Sequence, residues 1–225
     1  MSRPLCLLFD CDGTLVDSEP LLAAEMATSL AAIGLPFTAE DYIGEFRGAR
    51  FRNIVAELQK RHGRIDATSL KETEAGMRAR LADRLVHELT RLPGVLEALV
   101  ALSDYPCAVV SNGPESKIRT CLTATGLSDY FGNHLFSAYT ANCWKPDPGL
   151  YLHAAHSMGF KARQCLVIDD SIVGVRSALA AGIPVVHLNR FPDVETTPQG
   201  AITISNMHQL PTVVSRLSHQ EALAL

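Results

Sequence analysis

Two aspartates stand two residues apart in Asp10-Cys11-Asp12, and two more are adjacent in Asp169-Asp170. In an extended chain residues i and i+2 project to one side, so Asp10 and Asp12 face one small space while Cys11 turns away. Adjacent acids that follow an apolar run seldom serve packing, because a buried carboxylate costs several kcal/mol unless it is paired or bound to metal. Taken alone, Asp169-Asp170 leaves a solvated turn as the lesser alternative. A hard cation would draw all these acids together, and carboxylates with a backbone oxygen suit Mg²⁺, which keeps several waters and contacts substrate phosphate. Ser111, with the amides of Asn112 and Gly113, and Lys145, in the stiff segment Trp144-Lys145-Pro146-Asp147-Pro148, add donors and a cation for a phosphoryl group. A lone lysine is ordinarily a solvated surface charge; the order of all four segments makes the case. Calcium loops also open with an acid pair of this kind. An EF-hand register here would put Leu15 where glycine is required and Leu21 where the bidentate Glu belongs, so that reading fails.

Each group sits where an apolar run ends. Residues 5–9 run into Asp10, residues 107–110 into Ser111-Asn112-Gly113, and residues 165–168 into Asp169-Asp170, while Val185–Leu188 is a fourth such run. Runs of this length read as buried parallel strands, and their alternation with helical patterns predicts an α/β fold with a doubly wound, Rossmann-like parallel sheet. In such sheets the ligand crevice lies beyond the carboxyl ends of the strands. Ser171 is placed to cap a helix through Val173, Val175, Ala178 and Leu179 that ends at Gly182, with Pro184 just beyond. The stretch from Asp17 to Arg91, roughly 75 residues, has helical periodicity and no convincing strand. Its candidate helices are 19–33, 42–46, 53–62 and 69–89. The expected organisation is a catalytic core of residues 1–16 and 92–225 with an inserted α-helical cap domain, residues 17–91, set over the crevice as a lid.

The 225 residues suffice for one substantial core and a smaller second domain, and 47% hydrophobic with 20% charged residues describes an ordinary globular chain. A net charge of −4 without any long basic run argues against nucleic acid as a partner. A small phosphorylated metabolite fits better. The first nine residues are too short and wrongly flanked for a signal peptide or membrane span, so a cytoplasmic protein with no membrane partner is expected; a monomer is the separate expectation for its assembly. Six scattered cysteines without a CxxC pair predict reduced, mostly buried thiols, and His153 with His156 is read as a polar helix face.

With these residues in view, nearly the whole chain resembles the haloacid dehalogenase-like superfamily, specifically its phosphatases with a helical cap inserted after the first strand. Residues 10–18 (Asp-Cys-Asp-Gly-Thr-Leu-Val-Asp-Ser) look like the first motif, Ser111-Asn112-Gly113 the second, Lys145-Pro146 the third and Asp169-Asp170-Ser171 the fourth. The resemblance implies that Asp10 attacks phosphorus to form an aspartyl-phosphate, while Asp12 protonates the leaving oxygen and later deprotonates the hydrolytic water. It implies Mg²⁺ held by the Asp10 carboxylate, the Asp12 backbone carbonyl and Asp170, with Asp169 acting through water, and a phosphoryl group held by Ser111 and Lys145.

Within the superfamily the dehalogenases lack the second aspartate of the first motif, which this chain has in Asp12. The phosphoglucomutase relatives carry a histidine shortly after that motif, where this chain has Glu19-Pro20-Leu21-Leu22, so phosphatase is preferred to phosphosugar mutase. A non-enzymatic receiver domain that stores phosphate on aspartate is much shorter and has no helical insert. Local flavour around Ser111 and Lys145 looks like bacterial sugar-phosphate phosphatases, which implies a sugar phosphate or sugar-acid phosphate such as 6-phosphogluconate. In Arg47-Gly48-Ala49-Arg50-Phe51-Arg52, Arg50 is the expected reader of the substrate's carboxylate or hydroxyls, by its bidentate geometry.

Overall fold

The computed structural model describes residues 5–47, 49 and 51–220. The chain forms two compact units, Ser18–Leu89 being one, and the segment through Asp17 together with that from Thr90 onward being the other.

The larger unit is built on a six-stranded sheet of β1 (Cys6–Phe9), β2 (Cys107–Ser111), β3 (Leu135–Ser137), β4 (Cys165–Asp169), β5 (Val185–Leu188) and β6 (Ile202–Ile204). The order is β3-β2-β1-β4-β5-β6 and every pairing is parallel. β1 lies between β2 and β4, with Leu8 in register with Ala108 on one side and Val167 on the other. From β1 the strand order runs outward in both directions. The loops after β1 and β4 therefore leave the sheet at the point where the direction of winding reverses, which opens a crevice there.

β1 and β4 are buried on both faces and are accordingly apolar until their last residues. Cys6 and Leu8 point to the face covered by the helices Gly149–Ser157 and Ile172–Ala180, through Leu150, Tyr151, Ala154, Val175 and Ala178. Leu7 and Phe9 point to the other face, where Phe9 meets Phe131 edge-on at 5.8 Å. The sequence pattern did not single out β3 and β6. They are three-residue edge strands, partly exposed, and too short for period-2 alternation to be legible.

The smaller unit packs helices Glu19–Ala31, Phe51–His62 and Ala67–His87 around Met26, Leu30, Leu35, Phe37, Ile54 and Met77. Residues 42–46 are a π-helical turn, preceded by a short turn that Thr38 and Asp41 close with a reciprocal capping box. Glu25 is buried and takes hydrogen bonds from Arg80 and Arg84, which ties the first helix to the last.

The six cysteines are free; Cys107 and Cys143 are half-buried and the others buried. Among the described residues no helix is long and apolar enough to cross a membrane.

Candidate active site

Asp10 follows β1, Ser111 ends β2, and Asp169 ends β4 with Asp170 just beyond. Strand pairing therefore delivers all of them to one edge of the sheet. Lys145 arrives from the loop before the helix Gly149–Ser157, and Asn112 pins that loop: its side-chain amide donates to the Lys145 carbonyl at 3.2 Å and its side-chain oxygen accepts from the Lys145 amide at 2.8 Å. The Asn112 side chain is thus spent on placing the lysine, while the group expected to meet the phosphoryl oxygens is its backbone amide.

The Lys145 ammonium, 3% exposed, donates to Asp10 Oδ1 at 2.6 Å and to Asp169 Oδ2 at 2.8 Å. Asp169 is fully buried and takes three further donors: the Tyr151 hydroxyl at 2.6 Å on Oδ2, and the amide and hydroxyl of Ser171 at 2.9 and 2.7 Å on Oδ1. Burial alone would raise Asp169, but Lys145, Tyr151 and Ser171 outweigh it and hold the carboxyl below its ordinary range. Asp10 has fewer donors, so burial pushes its carboxyl up to about 7 against the pull of Lys145, and the charge on Asp169 adds to the rise. Burial also works against the charge on Lys145; the two carboxylates outweigh it and keep the ammonium protonated.

Asp170 accepts from the Thr14 hydroxyl at 2.9 Å, and its own amide donates back to Thr14 Oγ1 at 3.1 Å, which locks the β1 and β4 loops together. Gly13 makes that approach possible. It has φ +81°, and a Cβ there would lie 2.2 Å from Asp170 Oδ2. Behind Asp170, the buried His187 sets Nε2 3.1 Å from the Asp170 carbonyl oxygen and Nδ1 2.8 Å from Thr197 Oγ1. Ser171 caps the helix Ile172–Ala180, its hydroxyl accepting from the Gly174 amide at 3.0 Å, and a Cβ on Gly174 would fall 1.7 Å from Asp169 Oδ2. Asp169, the cap and the helix start are thus one packed unit.

Ligand oxygens of Asp10, Asp169 and Asp170 lie within 4.8 Å of one another, an all-oxygen donor set suited to a hard divalent cation. The Asp12 carboxylate is gripped by Lys117, whose ammonium is 2.7 and 2.8 Å from its two oxygens. The Gly113 amide donates to Ser111 Oγ at 3.0 Å, and the Gly113 carbonyl accepts from Ser137 at 2.7 Å. That turn is braced from within.

Residues 5–182 match the family model described as haloacid dehalogenase-like hydrolase. The chain belongs to the haloacid dehalogenase-like hydrolases. It is similar to the 6-phosphogluconate phosphatase of Escherichia coli (strain K12), 34% identical over 94% of this chain and 95% of that one. A phosphoglycolate phosphatase of Nitrosococcus oceani is 31% identical over 84% of this chain and 85% of its own. The crystal structure of a haloacid dehalogenase-like protein from Agrobacterium tumefaciens superposes with a TM-score of 0.81 at 29% identity, covering 96% of this chain and 99% of that one.

Of the residues singled out from the haloacid dehalogenase-like motifs, Asp10, Lys145, Asp169 and Asp170 meet directly, and Asp12, Ser111 and Gly113 lie close to one another at the same edge of the sheet. Arg50 and Gly48 lie outside the described residues. Of the flanking arginines, Arg47 is paired with Glu19 at 2.9 Å inside the helical unit and Arg52 is exposed. Lys117, Thr14, Tyr151 and His187 were not anticipated as site residues; their sequence spacing carries no signal, because each finds its partner only through the sheet topology.

Proposed function

We propose that this chain is a Mg²⁺-dependent phosphatase that hydrolyses a phosphorylated sugar acid, with 6-phosphogluconate the first candidate, through a phosphorylated Asp10. It is a phosphoric monoester hydrolase of the haloacid dehalogenase-like family. The observation that carries the finer reading is the meeting of Asp10, Lys145 and Asp170 at the sheet edge, with Asp12 two residues from Asp10.

Asp10, the Asp12 backbone carbonyl and Asp170 would hold Mg²⁺, while Asp169, its oxygens engaged by four donors, fixes Lys145 and would act on the ion through water. When bound, Mg²⁺ supplies positive charge that favours the Asp10 carboxylate and offsets charge on the phosphoryl oxygens. An Asp10 carboxylate oxygen then bonds to phosphorus as the ester P–O bond breaks, and Asp12 gives its proton to the departing oxygen. Water next attacks the same phosphorus, Asp12 takes its proton, and Asp10 leaves as carboxylate. Lys145 and Ser111 hold the phosphoryl oxygens throughout. Arg50 is the proposed contact for the substrate's carboxylate.

Phosphate release from a panel of sugar phosphates, sugar-acid phosphates and phosphoglycolate, with and without Mg²⁺, tests this reading. The highest kcat/KM is expected for 6-phosphogluconate, abolished by EDTA and by Asp10→Asn. The similarity to phosphoglycolate phosphatases supports a second reading, and a maximum at phosphoglycolate would select it. Turnover that survives EDTA and Asp10→Asn would end both.

A further inference from the structure

We propose that Ser137, on the edge strand β3, is a positioning residue for the phosphoryl grip, fixing the Ser111 turn against the segment that carries Lys145. The inference rests on the reading of Ser111 and Lys145 given above.

The two side chains assigned to the phosphoryl oxygens arrive on different loops. Ser111 ends β2, and Lys145 lies on the segment that follows β3. The β2–β3 ladder stops at the pair Ser111 and Ser137, which stand in register as the last residues of their strands. Beyond that pair, side chains tie the two loops together. Asn112 clasps the far end of the segment through the amide and carbonyl of Lys145. Ser137 clasps its near end, donating to the Gly113 carbonyl at 2.7 Å and accepting from the Tyr139 amide at 3.1 Å. At 1% exposure it leaves no room for water to take over either bond. Gly113 has no side chain to pack, so its backbone hydrogen bonds set its place. Its amide donates to Ser111 Oγ at 3.0 Å, which leaves the Ser111 hydrogen to be given to a phosphoryl oxygen. Ser137 therefore anchors the residue that aims Ser111.

The segment between the two clasps is itself stiff. Ser137 caps the short helix Ala138–Ala141, Asn142 closes it in the left-handed conformation at φ +50°, and the Cys143 amide returns to the Ala138 carbonyl at 3.1 Å. Tyr139 then meets Trp144 edge-on at 5.6 Å, directly before Lys145. A rigid segment held at both ends on one turn fixes the spacing of the Ser111 hydroxyl and the Lys145 ammonium. Such spacing matters because misplacement of about 1 Å in a group that grips the reacting centre can cost about a hundredfold in rate. Three-residue β3 adds little to the sheet's core, with Leu135 and Phe136 only half-buried, yet it delivers a buried hydroxyl to the Ser111 turn.

The test uses the full chain and inorganic phosphate as a competitive inhibitor of p-nitrophenyl phosphate hydrolysis at saturating Mg²⁺, beside calorimetric titration of Mg²⁺ alone. Ser137→Ala is expected to raise the phosphate inhibition constant about tenfold and to lower kcat/KM by a similar factor, with the Mg²⁺ dissociation constant changed less than about twofold. Ser137→Thr, which keeps the hydroxyl, should bring phosphate inhibition back to within about threefold of the parent. Ser137→Cys fills nearly the same space with a much weaker donor and should weaken phosphate as Ala does, so the test stands even if Ser137→Ala does not fold. Unchanged phosphate inhibition in the folded variants overturns the proposal. Equal losses of phosphate and Mg²⁺ also overturn it, since a hydroxyl that merely braces the sheet would loosen both. Ser111→Ala separates this inference from the reading beneath it. If it weakens phosphate and the Ser137 variants do not, Ser137 alone loses its role; if it leaves phosphate inhibition unchanged, Ser111 does not hold the phosphoryl group and both readings fall.

Discussion

Replacing Lys145 by methionine keeps much of the side-chain stem and deletes the ammonium between Asp10 and Asp169. Because desolvation offsets most of the attraction in a buried ion pair, the intact cluster contributes little net stability against an all-apolar alternative. Removing one partner is another matter. It leaves two carboxylates buried, at 12% and 0% side-chain exposure, and losses of about 3–5 kcal/mol accompany such changes. Tyr151 and Ser171 still donate to Asp169, which places the expected loss near the lower end, about 3 kcal/mol at about pH 8. The loss must depend on pH. Asp169 in the intact protein sits below its ordinary value, so it contributes stability above about pH 4 that is lost on acidification. Asp10, raised to about 7, is protonated in the folded state at about pH 5 and there needs no counter-charge. Without Lys145 both carboxyls move up, the folded variant binds more protons, and its stability falls further as pH rises. The gap between the two proteins therefore widens from about 1–2 kcal/mol at about pH 5 to about 3 kcal/mol at about pH 8. Urea unfolding followed by the fluorescence of Trp144, the one tryptophan, reports on the unit that holds the site. A gap below about 1 kcal/mol at about pH 8, or one that narrows as pH rises, would refute the reasoning.

Two further outcomes follow from the same cluster. Mg²⁺ must displace the proton of Asp10, whose carboxyl is pushed up to about 7, so its affinity in calorimetric titration should fall about tenfold per pH unit below that value and level off above it; a flat profile would remove Asp10 from the ligand set. Gly174→Ala would set a methyl 1.7 Å from Asp169 Oδ2, so either the helix start or the carboxylate must move, and about 2–4 kcal/mol of stability should be lost together with activity. An unchanged unfolding midpoint would show that the cap relaxes freely.

The strands that carry the acids were legible because parallel strands buried on both faces must be apolar, and the first charged residue after such a run marks where the sheet ends. β1, β2, β4 and β5 could be read this way, and the helices of the smaller unit fell within about two residues of their expected limits, an ordinary margin for helix ends. The edge strands β3 and β6 could not. One side of each faces no partner strand, and three residues give no period to detect. At the site, the acids and Lys145 stood out as chemical types at strand ends, whereas the groups that aim them did not. Tyr151 is 18 positions from Asp169, Lys117 is 105 from Asp12, and Thr14 is 156 from Asp170, all separations that helix or strand periodicity cannot encode. Two of these donors sit on elements whose own pattern is fully explained by packing: Tyr151 as a core residue of its helix, Lys117 as a polar position on an amphipathic one. The acids announce themselves because burying them without partners would be so costly; the partners that remove the cost are ordinary residues until the sheet brings them within 3 Å.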